Sequence, residues 1–159
     1  LSLVTLLTHT ARLVDSPETI GPAAGEWVGI GRVYATVEQI EEAEAAWRQA
    51  LDTDTLPDDV AARLWRELGL RPKRAEQWKD ALEIWQQWAK RQPHAVEPLV
   101  ERAKYFEWQT KELELALETT QRALKRAEAW PQGRQRWRKL AELRHREERL
   151  RRKMSTGGQ

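Results

Sequence analysis

Cysteine is absent from the 159 residues, which excludes a disulfide framework and a thiolate metal site. Histidine is scarce: His9, His94 and His145 stand far apart, and none falls in a metal-ligand spacing. There is one Phe and there are two Tyr, against nine Trp. So lopsided an aromatic set points to repeated use of one packing slot. No apolar run approaches the roughly 20 residues that span a bilayer, so no membrane partner is expected. The apolar opening stretch, Leu1 to Val14, lacks a basic leader and is interrupted by Thr8, His9, Thr10 and Arg12, unlike a secretory signal. A cytoplasmic location is the expectation. Methionine occurs once, at Met154, and position 1 is Leu, from which we expect a longer parent with sequence before Leu1.

What the chain has in quantity is charge, at 33% of residues with a net of +2. That small net hides a gradient. Residues 1–59 carry Arg12, Arg32 and Arg48 against eleven acids, whereas residues 134–153 carry ten cations against Glu142, Glu147 and Glu148. One end is acidic and the other basic.

No segment alternates apolar and polar residues for long enough to propose a sheet, so an all-α fold is expected. The chain also repeats itself. Trp27 and Trp65, Ile30 and Leu68, Gly31 and Gly69, Ala43 and Ala81, and Trp47 and Trp85 are all 38 positions apart. Trp27, Ile30 and Tyr34 share one helix face, Gly31 admits a second helix closely, and small Ala43 and Ala50 accept a facing ring. Thr36 and Gln39 have the spacing of a capping box for that second helix. Pro57 opens and Gly69 closes the first helix of the next unit, with Pro72 expected to cut it short. Its second helix, about 74–91, holds Trp78, Ala81, Trp85 and Trp88. A third unit matches in its back half, Ala116-x3-Thr120-x2-Ala123, behind a front helix of about 95–109 with Lys104 at the glycine position. After Trp130-Pro131 a basic helix of about 132–153 has a seam of Trp137, Leu140, Leu143 and Leu150, and reads as the cap of a repeat array.

The spacing Trp27-x2-Ile30-Gly31-x2-Tyr34, then Ala43-x3-Trp47-x2-Ala50, resembles the tetratricopeptide pattern. The resemblance implies a helical hairpin array of about three helix pairs, with an N-terminal helix and a C-terminal capping helix. The expected organisation is 1–20 as the end of a preceding domain or a lead-in helix, 21–131 as three pairs, 132–153 as the basic cap and 154–159 as a disordered tail. A second resemblance rests on Arg102-Ala103-Lys104-Tyr105-Phe106-Glu107-Trp108, Leu113-x2-Ala116-Leu117-x2-Thr120 and the stretches Glu142 to Arg146 and Arg149 to Lys153. These look like the helical tail of bacterial ribonuclease H-like proteins of the YprB type, where a DnaQ-like 3′–5′ exonuclease fold precedes tetratricopeptide-like helices. Leu1-Ser2-Leu3-Val4-Thr5-Leu6-Leu7 looks like the helix just past the last metal-binding Asp of such enzymes. The resemblance implies a Mg²⁺- or Mn²⁺-dependent nuclease domain upstream, with no cofactor and no catalytic residue in these 159 positions.

The candidate sites follow from these patterns. Trp27, Trp47, Trp65 and Trp85 are expected in the core rather than stacked on bases; Trp88 and Trp108 are left open, and Trp130 and Trp137 are expected to seat the last helix. Arg134, Arg136, Arg138, Lys139, Arg144, Arg146, Arg149, Arg151, Arg152 and Lys153 form the candidate nucleic-acid contact, set against the plainer reading of a solvated cap helix. Arg32, Lys104 and Glu107 are candidates for a surface that holds a protein partner or the chain's own upstream domain. Glu107 and His145 make an acid–base pair only if the fold joins them, which nothing in the sequence requires. Gly157-Gly158-Gln159 matches the tripeptide of peptide-chain release factors by coincidence. Leu3, Leu6, Leu7 and Leu13 would drive aggregation if left without a docking surface. The expected role is a non-catalytic interaction module, the accessory region of a ribonuclease H-like exonuclease. The alternative is a stand-alone scaffold for a protein or peptide with no nucleic-acid role.

Overall fold

The computed structural model describes residues 23–53 and 55–156, which form seven α-helices and no strand. They are α1 (Ala24–Thr36), α2 (Ile40–Asp52), α3 (Asp58–Arg74), α4 (Trp78–Arg91), α5 (Glu97–Tyr105), α6 (Leu113–Glu128) and α7 (Arg134–Thr156), with a π-helical turn, Phe106–Thr110, between α5 and α6. α1 packs on α2, and in the later part of the chain α4 packs on α5, α5 on α6 and α6 on α7. The contacts divide the chain into one unit ending at Leu64 and another beginning at Trp65. The expected N-terminal helix, its four leucines and the final Gly-Gly-Gln lie outside the described residues.

In the first unit α1 and α2 close on each other through a notch. A Cβ at Gly31 would stand 2.3 Å from Nε1 and 2.4 Å from Cδ1 of Trp47, so glycine is what lets the indole in. Ala43 and Ala50, both fully buried, flank it. The Trp47 Nε1–H has no hydrogen-bond partner among the described residues, a cost of about 1–3 kcal/mol set against the burial of the ring. The notch recurs 38 residues later, in the second unit, where a Cβ at Gly69 would meet Trp85 Nε1 at 2.8 Å. Trp47, Trp65 and Trp85 are buried as expected; Trp27 is buried only in part.

The turns repeat as well. α1 ends with Gln39 N–H donating to the Tyr34 carbonyl (3.0 Å) and Glu38 N–H to Ala35 (3.3 Å); α3 ends with Gln77 to Pro72 (2.8 Å) and Glu76 to Lys73 (3.3 Å). Glu38 and Glu76 are left-handed, at φ 61° and 57°. Both helices therefore stop in a Schellman motif with glutamate where glycine is commonest. This overturns two expectations. Thr36 is the last residue of α1, its hydroxyl donating to the Arg32 carbonyl, so it does not cap α2. Pro72 does not shorten α3, which runs on to Arg74. Proline removes one amide donor near the helix end, while its carbonyl serves the turn.

The second unit has a core of Ala89, Val96, Leu99, Val100, Ala123, Leu124, Ala127, Leu140 and Leu143, with Trp130 packed against it. Two of its side chains are tied down locally, whereas the buried Nε of Arg146 has no partner among the described residues. Trp88 Nε1 donates to Gln92 Oε1 (2.8 Å), and Arg126 donates to the carbonyls of Ala95 (2.7 Å) and Ala89 (3.0 Å) where α4 ends. Ala116, Thr120 and Ala123 are fully buried on α6, and the Thr120 hydroxyl returns to the Ala116 carbonyl at 2.8 Å. The last helix is longer than expected: Met154–Thr156 continue α7 instead of opening a disordered tail.

Candidate nucleic-acid interface on the last helix

The geometry of α7 follows from one acid. Leu99, Ala103 and Glu107 stand four apart on α5 and the π-helical turn, and all three are buried, so a carboxylate occupies an otherwise apolar row. Opposite it, α7 presents Arg146, Arg149 and Lys153 beside Leu143 and Leu150, which are fully buried. Arg146 Nη1 donates to Glu107 Oε2 at 2.9 Å, Arg149 reaches both oxygens (Nε to Oε1 3.1 Å, Nη2 to Oε2 2.7 Å), and Lys153 Nζ reaches Oε1 at 2.7 Å. Burial pushes the Glu107 carboxyl up, but the hydrogen bonds and charges of Arg149 and Lys153 outweigh it and hold the group below the ordinary carboxylate range. Burial in turn lowers the Arg146 guanidinium, against the favourable charge of Glu107. Trp108 lies over this cluster, with Lys153 Nζ 3.8 Å from its ring centroid, and is 51% exposed.

Glu107 is therefore an internal anchor and no part of an exposed partner surface. His145 is exposed on α7 while Glu107 is enclosed by its three cations, so the two make no acid–base pair. Arg32 is exposed on α1 in the first unit. Lys104 is half-buried and pairs with Glu101 at 2.6 Å, and Lys73 also pairs with Glu101; these two lysines outweigh burial and hold the Glu101 carboxyl below its usual range. Arg66 pairs with both oxygens of Glu97 (2.7 and 2.6 Å). Glu97, Glu101, Arg66 and Lys73 border a cleft of about 120 Å³ floored by Gly69, Leu70, Trp85 and Trp88.

The ten cations of α7 thus sort by face. Arg146, Arg149 and Lys153 turn inward. Arg136 donates to the Trp130 carbonyl at 3.4 Å, Lys139 pairs with Glu142 at 2.7 Å, and Arg151 pairs with Glu147 at 2.7 Å. Arg134, Arg138, Arg144 and Arg152 are exposed, and their side chains make no ion pair or hydrogen bond among the described residues. Glu148 is the acid on that outward face.

The aromatic bracket differs from expectation. Trp130 does help seat the helix, half-buried, with Nε1 donating to the His94 carbonyl at 3.0 Å. Trp137 does not: it is 67% exposed. A helix turns about 100° per residue, so each step of three falls back by about 60°. Counting back from buried Leu143 through Leu140, Trp137 has left the buried side.

Among the described residues no group of three or more His, Cys, Asp or Glu side chains is placed to hold a metal ion, and no helix is long and apolar enough to cross a membrane. Fold and site define a class, an all-helical hairpin protein with an acid-anchored basic helix. No protein-family model matches the chain, and neither a curated protein nor a solved structure is found to be similar to it.

Proposed function

We propose that this chain is a non-catalytic, tetratricopeptide-like interaction module that grips nucleic acid through the outward face of its last helix. The observation that carries this reading is the division of the cations on α7. Three pair with the single buried carboxylate of Glu107, whereas Arg134, Arg138, Arg144 and Arg152 face solvent and pair with no acid among the described residues. Over 18 residues at 1.5 Å each, these four arginines cover about 27 Å of helix, long enough to follow a phosphate backbone. The resemblance to the tail of YprB-type proteins supports a place beside a ribonuclease H-like exonuclease domain, which would supply the Mg²⁺- or Mn²⁺-dependent chemistry. Reading the parent sequence before Leu1 for Asp and Glu motifs tests that placement.

A second reading, a scaffold for a protein segment, is favoured by the cleft over Trp85 and Trp88, whose bordering charges are already paired and leave an apolar floor. Fluorescence anisotropy of labelled oligonucleotides between about 20 and 300 mM salt separates the two. We expect binding that weakens linearly in log salt, with a slope near −3 on a single strand if four phosphates are engaged. No binding at the lowest salt overturns the nucleic-acid reading and leaves the scaffold.

A further inference from the structure

Two tryptophans of the second unit are largely exposed, and their surroundings differ. Trp108 has a cation over its ring, Lys153 at 3.8 Å, which itself hydrogen-bonds to Glu107; that indole is already engaged by the protein. Trp137 has no ring or cation partner among the described residues and is 67% exposed. It projects from the face that carries the four outward arginines. Arg134 precedes it by three residues, Arg138 follows directly, and Arg144 lies two turns on. The residue one turn on, at i+4, is Ala141, whose methyl cannot cover an indole.

We infer that Trp137 is a base-stacking platform and that the nucleic acid held by α7 is single-stranded. The inference rests on the reading above that the outward arginines bind phosphates. An exposed indole set among arginines matches a chain that offers unstacked base faces and phosphates together. A duplex offers phosphates but hides its base faces, so it would leave the indole unused while meeting the same arginines. The stack is indifferent to base identity, because every base has a π-face, and the site selects strandedness rather than sequence.

The test uses the full chain, a dodecamer of deoxythymidine, the same oligomer with abasic positions, and a twelve-base-pair duplex, all at one low salt concentration. Trp137 is on the surface, so Trp137→Ala and Trp137→Phe retain the fold, which circular dichroism checks. Trp137→Ala should bind the dodecamer about tenfold more weakly, the size of one base–aromatic stack, and Trp137→Phe should recover much of that loss. On the abasic oligomer the parent should bind as weakly as the alanine variant, and the substitution should change nothing further. Equal affinity of the parent for single strand and duplex, or an alanine variant that binds the dodecamer as the parent does, overturns the stacking inference while leaving the arginine reading intact. Absence of binding to every oligomer instead overturns the reading beneath it.

Discussion

Gly29 and Gly31 are two residues apart on α1 and have opposite surroundings. A Cβ at Gly29 meets nothing within 4 Å, whereas one at Gly31 would collide with the Trp47 ring at 2.3 Å. Helix propensity favours alanine at both positions by about 1 kcal/mol, so the sign of each substitution is set by what lies opposite. We predict that Gly29→Ala stabilises the first unit by up to about 1 kcal/mol, while Gly31→Ala destabilises it by about 2 kcal/mol. In a Trp47→Leu background, where a shorter and flexible side chain can swing clear, the Gly31→Ala cost should shrink or reverse. Urea denaturation of the four variants measures this, and equal effects at the two glycines would rule out the notch. This feature was legible beforehand: glycine and tryptophan recur together at the 38-residue offset. The turns leave a fainter trace, although Glu38 and Glu76, and Gln39 and Gln77, share that offset. A left-handed glutamate has no signature as plain as glycine's, and Thr36 with Gln39 offered a plausible cap in its place.

At the scale of the element, α7 is held by a buried carboxylate as well as by leucines. The Glu107 side chain has no exposed surface, and the cations around it are 12% to 34% exposed. Glu107→Gln leaves these cations facing a neutral amide and should destabilise the second unit by about 3 kcal/mol at pH 7. The pH dependence has a definite sign. The folded carboxyl lies below the ordinary range, so its contribution is complete above the unfolded glutamate value, near 4.3, and is lost as pH falls through the folded one. The gap between parent and Glu107→Gln should thus be widest at neutral pH and close below about pH 4. A gap that stays constant from pH 7 to pH 3 would contradict this account of the anchor. The sequence held this information in two rows. Leu99, Ala103 and Glu107 fall on one helix line, and Arg146, Arg149 and Lys153 recur at i, i+3 and i+7 beside Leu143 and Leu150. The ten cations spread all round the helix, and composition does not divide them, because it counts charges and takes no account of the direction in which a helix turns them. Trp137 leaves the buried side for a related reason, since a seam stepped by threes drifts round the helix.

For the molecule as a whole, the hairpin pairs and the basic terminal helix could be read from repetition and charge, since helix packing leaves a periodic trace. The partner leaves no such trace in a single chain; it depends on which charges stay unpaired once the helices pack. That division is the central claim, and it is tested most directly by neutralising the two faces of α7 separately. We predict that Arg134, Arg138, Arg144 and Arg152 changed together to Gln leave the thermal midpoint within a few degrees of the parent, and cut the salt slope of single-strand binding from about −3 to near zero. Arg146, Arg149 and Lys153 changed to Gln should lower the midpoint sharply and leave the slope of the folded protein unchanged. Loss of binding from the inward set at unchanged stability, with the outward set binding as the parent does, would contradict the account.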